Sequence, residues 1–194
     1  MFARTEPWAD RIYRVRDTLM TSFRYGALSP IEYHRIAHEG KRYAHDIISF
    51  YSQNDVVSAN CVRHRKGKKD KAVNTSEIKL SAQGRTVDLL SSFYFIRSME
   101  FKNLKKGEVI MLNIFSGKRK ELLTIIFDGV ETIKLNKKKI ETYKVKFTFT
   151  SESKKQTSDP IIAWLSKEDG HIPLKLVGKL PIGQVQCIFV DACK

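Results

Sequence analysis

Four of the five histidines fall between His34 and His64: His34, His38, His45 and His64. Imidazole is the side chain best suited to hold a borderline divalent metal or to change charge near neutral pH. If Glu39-Gly40 is a two-residue hairpin connection, His38 pairs with Lys41 and His34 lies directly opposite His45. Directly paired residues have Cβ atoms about 5 Å apart, within reach of a shared metal. No third ligand stands at a fixed spacing, however, and a slip of register separates the pair. The pattern therefore reads as a solvated sheet face bearing histidines, with no metal and no cofactor.

The run Arg63-His64-Arg65-Lys66-Gly67-Lys68-Lys69-Asp70-Lys71 could grip phosphates, with neighbouring aromatics stacking on bases. It joins two strands, where a solvated lysine loop is unremarkable, and it lacks an RNP, KH or helix-turn-helix signature. Nucleic acid is not expected as a partner. Carboxylates give no acid/base pair at a catalytic spacing. Glu168-Asp169-Gly170 reads as hairpin chemistry, and Asp17, midway along a strand, reads as a paired structural carboxylate. There is no GxSxG, no HExxH and no phosphate-cradling glycine loop. No catalytic residue is assigned, and the chain is not expected to be an enzyme.

Aromatic residues are the remaining chemistry. Tyr13, Phe93, Tyr94, Phe147, Phe149 and Trp164 are placed to reach an interior. In a filled barrel they pack the core; in an open or wide one they line a cavity for an apolar or amphiphilic ligand.

The elements that must carry these residues are mostly strands. Period-two alternation with β-branched and aromatic residues dominates. It predicts strands over 11–23, 31–38, 41–51, 56–65, 78–80, 109–115, 121–128, 131–135, 140–150, 161–166, 172–179 and 184–191. One segment breaks the pattern: Val87, Leu89, Leu90, Phe93, Tyr94, Phe95 and Ile96 follow a helical spacing. The sequence predicts one principal helix around 87–98, with Thr86 as its cap and Asp88 suited to its dipole. Regular short strands imply a strongly curved antiparallel sheet, a barrel or half-barrel, with that helix packed against it.

Composition sets the outer limits. With 194 residues and 42% hydrophobic content, a single domain spanning 1–194 can bury a core without disulfide staples. Three cysteines with no CxxC spacing, Cys61, Cys187 and Cys193, define neither a zinc site nor a disulfide framework. The net charge is +14, from 35 Lys and Arg against 21 Asp and Glu. Such an excess favours anionic partners but is read first as a solvated exterior that protects edge strands. No apolar run approaches the ~20 residues of a transmembrane helix, and residues 1–10 lack the apolar stretch of a secretory signal.

Several of these pieces, in order, resemble the family catalogued as domain of unknown function 3108. They are the strand Tyr13-Arg14-Val15-Arg16-Asp17, the turn with Pro30, the Glu39-Gly40 hairpin and the helix Asp88-Leu89-Leu90-Ser91-Ser92-Phe93-Tyr94-Phe95-Ile96-Arg97. The strand-turn Trp164-Leu165-Ser166-Lys167-Glu168-Asp169-Gly170, then Ile172-Pro173 and Gly183, complete the series. The resemblance runs from about Trp8 onward and is carried most specifically by the helix and the Trp-Leu-Ser turn. It implies a bacterial exported or envelope protein, periplasmic or at the outer envelope, mostly antiparallel β, with no established activity or catalytic residues. Family members generally begin with a signal peptide and further strands, so the resemblance implies that this chain lacks those N-terminal elements. The functional expectation is a non-catalytic envelope protein that binds an amphiphile such as lipid inside the barrel. The alternatives are an interaction module dimerising or docking through an exposed β edge and, behind it, an enzyme acting on an envelope polymer.

Overall fold

The computed structural model describes residues 1–5, 7–11, 13–24, 26–152, 156–168, 170–180 and 183–189. The chain divides into two compact units that interleave in sequence. One comprises Met1–Phe93 with Asn113–Lys120, the other Tyr94–Leu112 with Glu121–Lys194.

The first unit is built on an antiparallel meander of six strands in sequential order. These are β1 (Phe2–Arg4), β2 (Val15–Arg24), β3 (Ser29–Glu39), β4 (Arg42–Gln53), β5 (Val56–Lys66) and β6 (Asn74–Gln83). Two of its turns are two-residue hairpins in which positive φ is needed: Gly40 (φ 60°) with Lys41, and Asn54 (φ 54°) with Asp55. Alternation then sorts the side chains onto two faces. On the buried face the aligned residues Thr21, Tyr33, Ile48, Cys61 and Ile78 form one row across the sheet. Phe50, Ala59 and Leu80 follow in the next. These rows pack with Leu89, Leu90 and Phe115 in a continuous apolar cluster.

Leu90 and Phe115 come from the rest of the unit. β7 (Thr86–Asp88) runs directly into α1 (Leu89–Arg97), and β7 pairs in parallel with the end of β8 (Val109–Phe115) through Asn113, Ile114 and Phe115. The helix is shorter than the spacing predicts, and Thr86 is not its cap. Thr86 lies in β7, its hydroxyl donating to the Gly84 carbonyl at 3.0 Å. Asp88 caps instead: its Oδ1 accepts the Leu90 and Ser91 backbone N–H groups at 2.8 Å each. Its Oδ2 accepts the Ser91 hydroxyl at 2.6 Å and the Thr21 hydroxyl of β2 at 2.7 Å. A fully buried carboxylate thus satisfies the first orphan donors of the helix and ties its start to the sheet.

The second unit contains β9 (Lys120–Leu135), β10 (Lys138–Ser151), β11 (Gln156–Thr157), β12 (Ile161–Ser166), β13 (Pro173–Leu180) and β14 (Gly183–Ile188). From β14 the order runs β14-β13-β12-β10-β9, with β11 paired to β10. The sequence split β9 into two strands at Asp128-Gly129-Val130. In fact the strand continues through a bulge: Lys144 faces Gly129 (φ 95°) and Val145 faces Phe127, leaving Asp128 as the extra residue. β6 was likewise expected to span only three residues, because its N-terminal half, Asn74-Thr75-Ser76-Glu77, is polar on both faces and exposed. Gln184–Asp191 is realised as β14, ending at Ile188, and Asp191 lies outside the described residues, as do Cys193 and Asp169.

The architecture is therefore mainly β with one principal helix, in two antiparallel-rich sheets. Both strand orders are open among the described residues, each ending on an unclosed strand. No helix among them is long and apolar enough to cross a membrane.

Candidate functional site

The six-stranded sheet carries two different concentrations of polar chemistry, one on each face. Toward one end of the buried face the apolar rows give way to charge. Arg35, Asp46 and Arg63 stand side by side on β3, β4 and β5, with Ala44 and Arg65 in the adjoining row. Asp46 is buried and receives Arg63 Nε on Oδ1 at 2.8 Å and Arg65 on Oδ1 and Oδ2 at 2.6 and 2.7 Å. Burial alone would raise its carboxyl, but the hydrogen bonds from Arg65 and Arg63 outweigh it and hold the group below the usual carboxylate range. Gly117 approaches this group so closely that a Cβ there would sit 3.2 Å from Asp46 Oδ2. Beside it Arg35 bridges Asp17 Oδ2 at 3.3 Å and Glu39 Oε1 at 3.0 Å. Asp17 is therefore paired, and its other oxygen is buried with no hydrogen-bond partner. Each acid in this group has an arginine, so it reads as a structural network.

The opposite, solvent-facing side carries the histidines. The β3–β4 turn lies at Gly40-Lys41, one residue later than the sequence suggested, and Glu39 pairs with Arg42. Every cross-strand partner consequently moves by two residues. His38 faces Tyr43 rather than Lys41, with ring centroids 5.0 Å apart, and His34 faces Ile47 rather than His45. His34 and His45 still meet, on the diagonal, with Nδ1 of His34 3.1 Å from Nε2 of His45. Direct pairing instead joins His45 to His64, at 5.9 Å between centroids, and His64 to Thr75, whose hydroxyl lies 2.9 Å from His64 Nδ1. Glu32 closes the other end, its Oε2 3.1 Å from His34 Nε2. The result is a polar line across four strands: Glu32, His34, His45, His64, Thr75. Partial burial pushes the His45 ring below the usual imidazole range, and the neighbouring His34 and His64 push in the same direction. Among the described residues no three His, Cys, Asp or Glu side chains converge on one point.

Two hollows open on the sheet near the β4–β5 turn and share Tyr51 and Ser58. One, of about 320 Å³, is lined by Tyr51, Ser58, Ala59, Asn60, Lys79, Leu80 and Ser81. The other, of about 720 Å³, is lined by Tyr51, Ser52, Gln53, Asn54, Val56 and Ser58. The register puts Tyr51 beside Ser58, Ser58 beside Ser81, and Asn60 beside Lys79. Small side chains thus form a floor between an exposed aromatic ring and a lysine.

None of the six aromatics proposed to line a ligand cavity contributes to either hollow. Tyr13 and Tyr94 are largely exposed, and Phe93 and Phe149 are half-buried. Phe147 is buried in the second unit, edge-on to Phe149 at 6.0 Å. Trp164 is buried with Ile133 and Leu174, with the ammonium groups of Lys175 and Lys144 at 5.0 and 5.6 Å from its ring. Sequence reasoning passed over Glu32 and Lys79, and counted Tyr51 among the aromatics able to reach an interior, whereas its ring is exposed. The only signal for them was their parity with His34, His45 and His64 on alternating strands, readable once the hairpin registers are fixed.

The two most specific pieces of the family resemblance meet in the second unit. Arg97, at the end of α1, donates from Nε to the Gly170 carbonyl at 2.7 Å, and the Arg97 carbonyl lies 2.8 Å from His171 Nδ1. The His171 ring packs at 4.9 Å against Phe101, which stacks on Tyr143, also at 4.9 Å. The turn following Trp164-Leu165-Ser166 is thus strapped to the helix terminus. A family model described as "Protein of unknown function (DUF3108)" matches residues 1–190. No curated protein and no solved structure matches the chain.

Proposed function

The chain belongs to this family of proteins of unknown function, and on that premise we propose that it is a non-catalytic binding protein of the bacterial envelope. Its ligand is an amphiphile with an anionic head group, taken up on the solvent-facing side of the six-stranded sheet. The observation that carries this reading is the open hollow bounded by Tyr51 and Lys79. A tyrosine ring offers apolar contact, the serine and asparagine floor offers donors and acceptors, and the lysine offers a counter-charge. The net charge of +14 favours approach to anionic headgroups, and the resemblance to exported bacterial proteins supports the location. The hollow is open to solvent, so an amphiphile can enter it without rearrangement of the sheet.

Sedimentation with vesicles of anionic and of zwitterionic lipid tests this. Binding to anionic vesicles that drops at least tenfold in both Tyr51→Ala and Lys79→Ala supports the hollow. Binding of either variant equal to that of the unaltered chain, or none by the unaltered chain at low salt, rejects it.

A second reading rests on β14, the last strand of its sheet, whose described side chains are all exposed, Val185 and Ile188 among them. Such an edge could pair with another chain. A concentration-dependent dimer abolished by Val185→Lys would favour it.

A further inference from the structure

We propose that the His34–His45 pair on the outer face of the six-stranded sheet is a binding site for a borderline divalent cation of the copper, nickel and zinc class. Three features of the geometry converge on this. The first is the approach of two imidazole nitrogens to 3.1 Å. With metal–nitrogen bonds of about 2.0–2.1 Å, that separation corresponds to an N–metal–N angle of about 98°. This lies between the square-planar and tetrahedral values, so a cation about 1.3 Å off the N···N line reaches both nitrogens once the two rings tilt their lone pairs toward it.

The second is the role of Glu32. A carboxylate can only accept, so at Oε2, 3.1 Å away, it fixes the proton of the His34 ring on Nε2. His34 Nδ1 then presents a lone pair, and His45 Nε2–H donates to it in the metal-free state. Carboxylate–imidazole pairing of this kind orients a ligating histidine and raises its basicity. When the cation replaces that proton, His45 takes one up again at Nδ1 from solvent, so both rings stay neutral.

The third is exposure. His34 is about a quarter exposed and Glu32 nearly half, which leaves room for water to fill the remaining coordination positions. Two imidazoles plus water suit these cations, with copper held most tightly, while calcium and magnesium prefer an all-oxygen set. The other groups facing the pair are His64, beside His45, then Met20 and Ile47 flanking His34, and Ile36 beside His45. His64 is engaged by Thr75 and is not assigned as a ligand. Glu32 is the one acid among these outer-face neighbours; Asp46 and Arg65, on the opposite face, also act on the His45 ring with opposite signs.

The test is titration of the tag-free chain with Cu²⁺, Ni²⁺ and Zn²⁺ at pH 7.5 by calorimetry, with EPR of the copper complex. The expected result is one cation per chain, coupled to two nitrogens in the copper spectrum. His34→Gln and His45→Gln should each weaken binding tenfold or more, and Glu32→Gln about tenfold. His64→Gln and His171→Gln should leave it unchanged. Affinity should fall as pH drops through the imidazole range, because protons compete for the same lone pairs. These histidines lie on the solvent face, so the variants keep the fold, checked by circular dichroism. Binding unchanged in both His34→Gln and His45→Gln, binding lost in His64→Gln but retained in His34→Gln, or no binding of any of the three cations would each overturn the proposal.

Discussion

Asp46 on β4 and Arg63 on β5 face each other across the buried side of the sheet, with Nε donating to Oδ1 over 2.8 Å. Arg65, two residues on, adds two further bonds to the same carboxylate. This group lets a face that is apolar over its other rows end in charge without leaving a buried ion unpaired. Removing Arg63 leaves Asp46 held by Arg65 alone, so Arg63→Ala is expected to lower unfolding stability by about 2 kcal/mol, the worth of one charge-assisted hydrogen bond, read by urea denaturation. Gly117→Ala places a methyl against Asp46 at a positive φ of 71° and should also destabilise, by about 1 kcal/mol.

The same carboxylate predicts an acid limb. Its folded pKa is held below the unfolded value, so it adds stability above about pH 3.9, and that stability is lost as pH falls through the folded value. Denaturation midpoints of Asp46→Asn should be flatter across this range than those of the unaltered chain.

His45 acts near neutrality. Its folded pKa is lowered, so the unfolded chain takes up the proton first as pH falls. Stability should therefore decline from about pH 6.5 downward, through the folded value. Thermal melts between pH 5 and 7.5 in a chelating buffer check this, and His45→Gln should remove part of the slope.

Asp88 makes four hydrogen bonds at one helix start. Asp88→Ala is expected to cost about 2 kcal/mol, combining the lost cap with buried donors left unmatched. Thr21→Val removes only the tie to β2 and should cost about 1 kcal/mol. If both variants cost the same, the cap is not what holds the helix start.

Cys61 is wholly buried, and burial pushes its thiol up to about 11, with the Asp46 charge adding to the effect. Its thiolate is the reactive species. Alkylation at pH 8 followed by peptide mapping should find Cys61 unmodified in the folded chain and modified in urea. Cys187, which is exposed, should react under both conditions.

What the sequence determined by itself was the kind of element over most of the chain, although β1 and β7 were not foreseen and the strand expected from Arg11 begins at Val15. Period-two alternation around Tyr143-Val145-Phe147-Phe149 and the helical spacing from Leu89 to Ile96 each leave one arrangement that buries apolar surface, so β10 and α1 follow from local pattern. The ordered landmarks likewise sufficed for the family. Polar segments escaped this logic: the first half of β6 has no buried residue to set its period, and pairing with β5 alone makes it a strand. Register was decided only in the tertiary structure. Moving one hairpin turn from Glu39-Gly40 to Gly40-Lys41 leaves every residue on its face but shifts each partner by two, because faces repeat every second residue. That shift places His34 diagonal to His45, while the separate Asn54-Asp55 turn sets His45 opposite His64. The two registers together set Arg35 and Arg63 on either side of Asp46, pairings that no spacing along the chain contains.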